Sequence, residues 1–419
     1  MTRAVRFVHA ADTHLDAPFR GVSADDARIG AALAQATFAA FDRVIEVCLE
    51  RGARFLVIAG DAYNSSDSSL RAQLHFRTAM QRLAEADVDV FLAHGNHDPA
   101  NGWSAGLAMP DNVHVFPTGD VGRFEVLVEG EVAAVVYGRS FARAAETENL
   151  SLGYRRADDD PIAIGVLHAN VGGNPDYDPY SPASLDDLRA ARMDYWALGH
   201  IHKQSFLSRD PWVVYPGSTQ GLNPKETGPH GCIVVDVGLT GAIEVEHVET
   251  APVGWAHTDV DVAAAESLEA VRGLLGGACD AIRAELGCPT IVRLTVSGRT
   301  PAHGELGRAG VFADLVESVR HEQSRGEPWI WLDRVADETV PVLDLDAVRS
   351  GKDFSAELVR IADDLAADPE ALRAMVAQIA APLANSLPGY EPGAQPAQTL
   401  QAARDGALDL LLTPGGERS

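Results

Sequence analysis

Five stretches of this chain run from an apolar segment into side chains that can hold a divalent cation or carry a proton. Asp12 and His14 follow Val5–Ala10, Asp61 follows Phe55–Ala59 through Gly60, and Asn96, His97 and Asp98 follow the run from Val88 to Leu92 through His94 and Gly95. His168 follows Ile162–Leu167, and His200 and His202 follow Tyr195–Leu198 through Gly199. Two residues at i and i+2 of an extended chain project to the same side, so the end that carries Asp12 and His14 supplies two donors at once. Gly95 lets the backbone turn sharply, which frees Asn96 and His97 to face a shared site. Of these, Asp12, His14, Asp61, Asn96, His97, His168, His200 and His202 offer two carboxylates, one amide oxygen and five imidazoles. Oxygen and nitrogen donors without sulfur suit Mn, Fe or Zn. Seven ligands exceed what one first-row ion with an open position takes, but they fit two ions bridged by a carboxylate. Such a pair, ~3.5 to 4 Å apart, clamps the attacking and leaving oxygens of a phosphoryl displacement and lowers the pKa of bound water towards ~7. Hydrolysis of a phosphoester is the expected reaction.

These donors need strand ends to hold them, and residues 1–250 supply them by alternating strand-like and helix-like stretches. Helices are expected from about Asp25 to Arg51 and Leu70 to Ala86 between the first three strands. Later strands around Phe124, Val132–Tyr137, Val213–Tyr215, Cys232–Val235 and Ile243–Val245 have shorter connections and read as an antiparallel addition. The expected fold is therefore α/β, a β-sandwich flanked by helices with its ligands on loops beyond the strand ends. The Gly- and Pro-rich stretch 170–182 is expected to rim the site.

Residues 255–340 read as a smaller α/β domain, in which Trp329 and Trp331 are expected as core. Residues 350–385 read as helical, with Phe354, Leu358, Ile361 and Leu365 on one face and Asp368-Pro369 opening a second helix. The Pro-, Gly- and Ala-rich segment 386–398 has a linker composition, and 399–413 is a candidate amphipathic helix for docking a partner. The alternative, that these helices pack only on their own domain, carries equal weight.

Composition sets the surroundings. The formal charge of −26 argues against a broad basic surface of the kind that displaces counterions from nucleic acid, although bound divalent ions would reverse that sign locally. Cys48, Cys232, Cys279 and Cys288 form no Cys-x-x-Cys pair and read as buried thiols in a reducing compartment. No apolar run reaches the ~18 residues that a membrane span needs, so no membrane partner is expected and a cytoplasmic location follows as the default.

Asp-x-His, Gly-Asp, Gly-Asn-His-Asp, a solitary His and Gly-His-x-His, in this order over about the first 230 residues, resemble the calcineurin-like metallophosphoesterase superfamily. Within it, 9–19, 197–202 and 215–219 resemble the SbcD/YhaO type of DNA-repair nuclease, and the stretch from Asn223 to Cys232 is closer to the YhaO branch. The resemblance implies that Asp12, His14 and His202 hold one metal, that Asn96, His168 and His200 hold a second, and that Asp61 bridges them. It also implies that His97, not a ligand, protonates the leaving oxygen or stabilises its developing charge. Two divalent ions per chain, with Mn²⁺ expected, DNA as substrate and an SbcC- or Rad50-like coiled-coil ATPase as partner come from the same resemblance. So does a role for 255–340 in capping the site and selecting DNA. Many such nucleases place a histidine shortly after Gly-Asp. This chain has Ala62-Tyr63-Asn64, so Asn64 is the candidate phosphate contact.

Other readings stand beside the nuclease. A small-molecule or cyclic-nucleotide phosphodiesterase would use the same metal chemistry without an obvious need for the residues from 255 onward. A scaffold subunit of an ATPase complex would keep the fold without the turnover. His9, His94, His114, His230, His247, His257 and His321 are expected as satisfied or exposed histidines rather than ligands, and homodimerisation stays open.

Overall fold

The structure is a computed structural model, described over residues 4–22, 26–65, 69–102, 107–384 and 396–412. The chain forms two compact units: Met1–His257 with Ile282–Val292 and Gly326–Asp333, and Thr258–Ala281 with Arg293–Arg325 and Arg334–Ser419.

In the first unit β1 (Val5–Ala10), α1 (Ala27–Arg51), β2 (Phe55–Ala59), α2 (Leu70–Ala84) and β3 (Asp89–Ala93) alternate, and β4 (Val113–Val115) follows. Then come β5 (Gly122–Val128), β6 (Glu131–Gly138), β7 (Ala163–His168), α3 (Leu185–Ala190), β8 (Tyr195–Gly199), β9 (Ser205–Arg209), β10 (Trp212–Tyr215), β11 (Gly231–Val237) and β12 (Ile243–Glu249). Two six-stranded sheets result, ordered β12-β11-β1-β2-β3-β4 and β5-β6-β7-β8-β10-β9.

Strands β1 to β4 run parallel, with β11 and β12 added antiparallel at one edge. In the second sheet β6, β7, β8 and β10 are parallel, and only the edge strands β5 and β9 run against them. The antiparallel expectation for 132–137 and 213–215 is thus corrected in part. Residues 139–162 are long enough for a parallel crossover from β6 to β7, and β9 carries the chain back across the sheet before β10 begins.

Alternation along each strand explains the layers. In β2, Phe55, Val57 and Ala59 face the second sheet, where they join Phe7, Phe91, Val136, Ile164, Tyr195 and Val214. Phe7 stacks on Phe55 with ring centroids 4.7 Å apart. Leu56 and Ile58 face outward onto Phe38, Phe41 and Ile45 of α1 and Phe76 and Met80 of α2. Because both faces are covered, the strand reads as one continuous apolar run. On the far side, Leu188 of α3 packs with Trp196 and Leu198. Asp26 caps α1 by accepting from the N–H groups of Arg28 and Ile29, and Gly52 closes it at φ 62°.

The third sheet, β13 (Gly254–Asp261), β14 (Thr290–Arg299) and β15 (Ile330–Val340), has the order β13-β14-β15. Its sequence neighbours are α4 (Leu268–Leu286), α5 (His303–Leu306) and α6 (Val311–Gln323). Trp329 and Trp331 are buried with Trp255, Ile291 and Ile29 and Leu33 of α1, so they are core as expected, but core of the first unit. The chain continues through α7 (Leu345–Ser350), α8 (Phe354–Ala367), α9 (Pro369–Ala384) and α10 (Pro396–Leu412). Helix α8 buries its small side, Ser355, Ala356, Val359 and Ala362, and leaves Phe354 and Ile361 70% and 50% exposed. The expected linker at 386–398 lies outside the described residues except where 396–398 opens α10.

Candidate metal centre

Every expected donor lies at or just past the C-terminal end of a strand. Asp12, Asp61 and Asn96 leave the adjacent parallel strands β1, β2 and β3 of one sheet, and His168 and His200 leave β7 and β8 of the other. The turns are held by exchanged hydrogen bonds: the N–H of Asp12 donates to Gly60 O (3.1 Å) and that of His14 to Asp61 O (3.0 Å). Asp12, His14, Asp61 and His200 all have positive φ (51°, 41°, 52° and 97°), a conformation that costs non-glycine residues energy and that functional sites accept. Glycine is required between them. A Cβ on Gly95 would lie 2.3 Å from Asp61 Oδ1, and one on Gly199 would lie 2.0 Å from Ala59 O.

The side chains converge. Donor atoms of Asp12, His14 and His202, of His14, Asp61 and His97, and of Asp12, Asp61 and His168 form three triads, each within 4.8 Å. His14 Nε2 faces His202 Nε2 at 3.1 Å, and Asp61 Oδ2 lies 3.9 Å from His14 Nε2 and 3.4 Å from His168 Nε2. Asn96 Oδ1 is 2.9 Å from His168 Nε2. His200 stands apart from the triads: its backbone N–H donates to the Asp12 carboxylate (3.0 Å), and its Nε2–H donates to Asp178 O (2.8 Å), which leaves Nδ1 as its free nitrogen. His97 donates its backbone N–H to Asp61 Oδ1 (2.9 Å) and its Nδ1–H to Asn64 O (2.8 Å), which leaves Nε2 free. Asn64 therefore bears on the site through its backbone carbonyl.

The buried donors shift one another's proton affinities. Burial pushes the Asp12 carboxyl up to about 6, against the pull of His168 and His202. Burial acts to raise Asp61 too, but His168, His14 and His97 hold it well below the usual carboxylate range. Burial would lower His168, yet Asp61 and Asp12 carry it up to about 9. Burial and neighbouring imidazoles push His14 down to about 3 and His200 down to about 4. Two buried carboxylates, converging imidazole nitrogens and a His14 Nδ1 without a hydrogen-bond partner fit a divalent pair.

Further residues support the donors, and of these the sequence reading gave Glu226 no role. Asp98 accepts from the N–H of Gly95 and of Ala62, both at 2.8 Å, and so ties the Gly-Asn-His turn to the Gly-Asp turn. Glu226 Oε1 accepts from His202 Nδ1–H at 2.8 Å. Burial acts to raise the Glu226 carboxyl, but its bond to His202 holds it at about 2. The loop 170–182 supplies Asp178 O and Tyr177, whose hydroxyl accepts from the His202 N–H. The carbonyls of Asn174, Tyr177 and Asp178 all accept from the Asn170 amide, which fastens this loop. His9 and His230 are buried and hydrogen-bonded away from the donor triads.

Residues 5–204 match the calcineurin-like phosphoesterase family, and residues 255–340 match the middle domain of metallophosphoesterase YhaO. The chain is 36% identical over 340 residues to the uncharacterized metallophosphoesterase YhaO of Bacillus subtilis, a likeness covering 81% of this chain and 83% of that one. It is also similar to DNA double-strand break repair protein Mre11 of Thermoplasma acidophilum (25% identical, 58% of this chain and 64% of that one). Mre11 of Methanocaldococcus jannaschii is 27% identical over 52% of this chain and 58% of that one, so the chain spans less than two thirds of either Mre11. With its sandwich, its strand-end donors and these likenesses, the chain belongs to the calcineurin-like metallophosphoesterase family, in the branch that YhaO represents.

Proposed function

We propose that this protein is a divalent-metal-dependent DNA nuclease that hydrolyses phosphodiester bonds. The observation that carries the reading is the overlap of the three donor triads, in which Asp12, His14 and Asp61 each belong to two. Shared donors are what a bridged pair of ions needs. On this reading Asp12, His14 and His202 hold one ion, Asn96, His168 and His200 the other, and Asp61 both. Mn²⁺ suits this oxygen- and nitrogen-rich set. When bound, the ions polarise the phosphoryl group and lower the pKa of water.

The chain's own residues position the proton. Asn64 O holds the Nδ1–H of His97, so Nε2 is the nitrogen that, once it has taken a proton from solvent, gives that proton to the leaving oxygen and returns to its neutral form. DNA as substrate is supported by the likeness to proteins named for double-strand break repair. Local charge supports it too. The chain has only three lysines, and two of them, Lys203 and Lys225, are exposed and adjoin His202 and Glu226. Beside these two site residues they are candidates to meet a phosphate, on a chain whose net charge is −26.

Residues 255–340 are assigned to DNA selection, and an SbcC- or Rad50-like ATPase is the proposed partner, docked by the helix at 399–413, where Leu410 and Leu411 of α10 are exposed. A cytoplasmic DNA-repair setting belongs to the same proposal; among the described residues no helix is long and apolar enough to cross a membrane.

The test uses end-labelled duplex and single-stranded DNA in Mn²⁺, with and without chelator, beside a small phosphodiester and the His97→Ala variant. Cleavage of DNA that depends on metal and on His97 is expected. Cleavage of the small ester alone would overturn the DNA assignment in favour of a nucleotide or other small substrate. No cleavage of either by a protein holding two ions would favour the scaffold.

A further inference from the structure

His202 is gripped at one nitrogen and faces the donor cluster with the other. Its Nε2 lies 3.1 Å from His14 Nε2 and 3.9 Å from Asp12 Oδ1, and its Nδ1 lies 2.8 Å from Glu226 Oε1. The Glu226 carboxylate is itself held. Oε2 accepts the Leu222 N–H at 2.6 Å, and Oε1 also accepts from the Asn223 amide at 2.6 Å. The side chain is 11% exposed.

The backbone around it is braced as well. Glu226 O accepts from His230 Nε2–H at 3.1 Å, and His230 Nδ1 faces the Ser218 hydroxyl at 2.9 Å. A Cβ on Gly221 would lie 2.8 Å from both Glu226 O and His230 Nε2, so the loop closes this tightly because position 221 is glycine. The Trp255 indole N–H donates to Gly221 O at 3.1 Å, and the Gln220 amide donates to Val253 O at 2.7 Å. The loop 218–230 is thus a built bracket that reaches the donor cluster through one carboxylate.

We infer that Glu226 is a positioning residue for the metal centre: it fixes the tautomer and ring plane of His202 so that Nε2 is the metal-facing nitrogen. A carboxylate behind a ligating imidazole also strengthens that imidazole as a donor, and loss of such a partner costs roughly 10- to 100-fold in metal affinity. This inference rests on reading the cluster as a two-ion site.

Mn²⁺ binding to the full chain, followed by titration calorimetry and by the signal of free Mn²⁺ in electron paramagnetic resonance, separates the two ideas. Wild type is expected to bind two ions. Glu226→Gln, which can still accept the Nδ1–H but carries no charge, is expected to lose about tenfold at one ion, and Glu226→Ala up to about 100-fold, with the other ion little changed. Nitrogen-15 shifts of the His202 ring in the chelated wild-type protein are expected to report a proton on Nδ1, a readout that does not depend on any variant folding. Wild type holding fewer than two ions would overturn the two-ion reading. Two ions in wild type with unaltered affinity in Glu226→Gln and Glu226→Ala, or a His202 ring with a proton on Nε2 and none on Nδ1, would overturn the role of Glu226 alone.

Discussion

Asp61 and His168 meet across the sandwich: Asp61 leaves β2 in one sheet, His168 ends β7 in the other, and Oδ2 and Nε2 come within 3.4 Å. His168 is oriented from behind, because its Nδ1 donates to Ala59 O at 2.9 Å, two residues before Asp61. One strand end thus supplies both the carboxylate and the acceptor that aims the imidazole towards it. Asp61→Asn keeps the volume and removes the charge. It is expected to abolish stoichiometric retention of two Mn²⁺ ions, as measured by metal analysis after gel filtration; retention of both would remove Asp61 from the bridging position.

His97→Ala should separate chemistry from metal binding. With Nδ1 committed to Asn64 O, the ring offers one exchangeable position, and positioned proton transfer contributes roughly 10²- to 10⁴-fold. Turnover is expected to fall within that range while both ions remain. If the ions are lost as well, His97 acts as a ligand in its triad with His14 and Asp61.

Gly199→Ala should damage the site from behind. The added methyl would lie 2.0 Å from Ala59 O and 2.9 Å from His168 Nδ1, so backbone or imidazole must move. Overpacking of this kind costs roughly 1–3 kcal/mol, read as a lower Tm and weaker Mn²⁺ binding. Gly30→Ala in α1 meets nothing within 4 Å and is the control, expected to leave the metal untouched.

Lys203→Gln combined with Lys225→Gln should weaken DNA binding and spare the small ester. Each lysine that neutralises a phosphate adds about one unit to the salt slope of affinity, so the slope of the variant is expected to be shallower by up to about two. An unchanged slope would mean that neither lysine touches the backbone.

The chelated protein should lose stability as pH falls from about 6.5 to about 4. His9 and His14 are held down at about 3 and His200 at about 4, so the unfolded chain takes up protons near 6.5 that the folded chain refuses. Asp12, raised to about 6, opposes this by taking its proton earlier when folded. His168 has the reverse dependence on the alkaline side: its contribution is complete below about 6.5 and is lost as pH rises through about 9. Urea midpoints against pH are therefore expected to peak near pH 6.5, and a flat profile would contradict this account.

The strand ends were legible because each joins an apolar run to polar residues of distinctive type, and period and residue chemistry are both visible in sequence. Glu226 was not. It sits in an irregular loop beyond β10, far along the chain from His202, and its effect comes through one hydrogen bond that no periodicity marks. The partners of His97 and His200 are the carbonyls of Asn64 and Asp178, and a carbonyl is present in every residue, so their side chains carried no signal. In α8 the expected stripe of Phe354, Leu358, Ile361 and Leu365 is not the buried one: burial goes to the smaller residues Ser355, Ala356, Val359 and Ala362, which allow closer approach between helices.

The donors of this site come from the ends of strands in both sheets, and that makes any ion held there a rivet. A cation shared between Asp61 and His168 would tie one half of the sandwich to the other at the end where these donors meet. By mass action, ions present at 100 times their dissociation constant add about 2.7 kcal/mol to the folded state. The stability of the fold would thereby follow the metal supply around it.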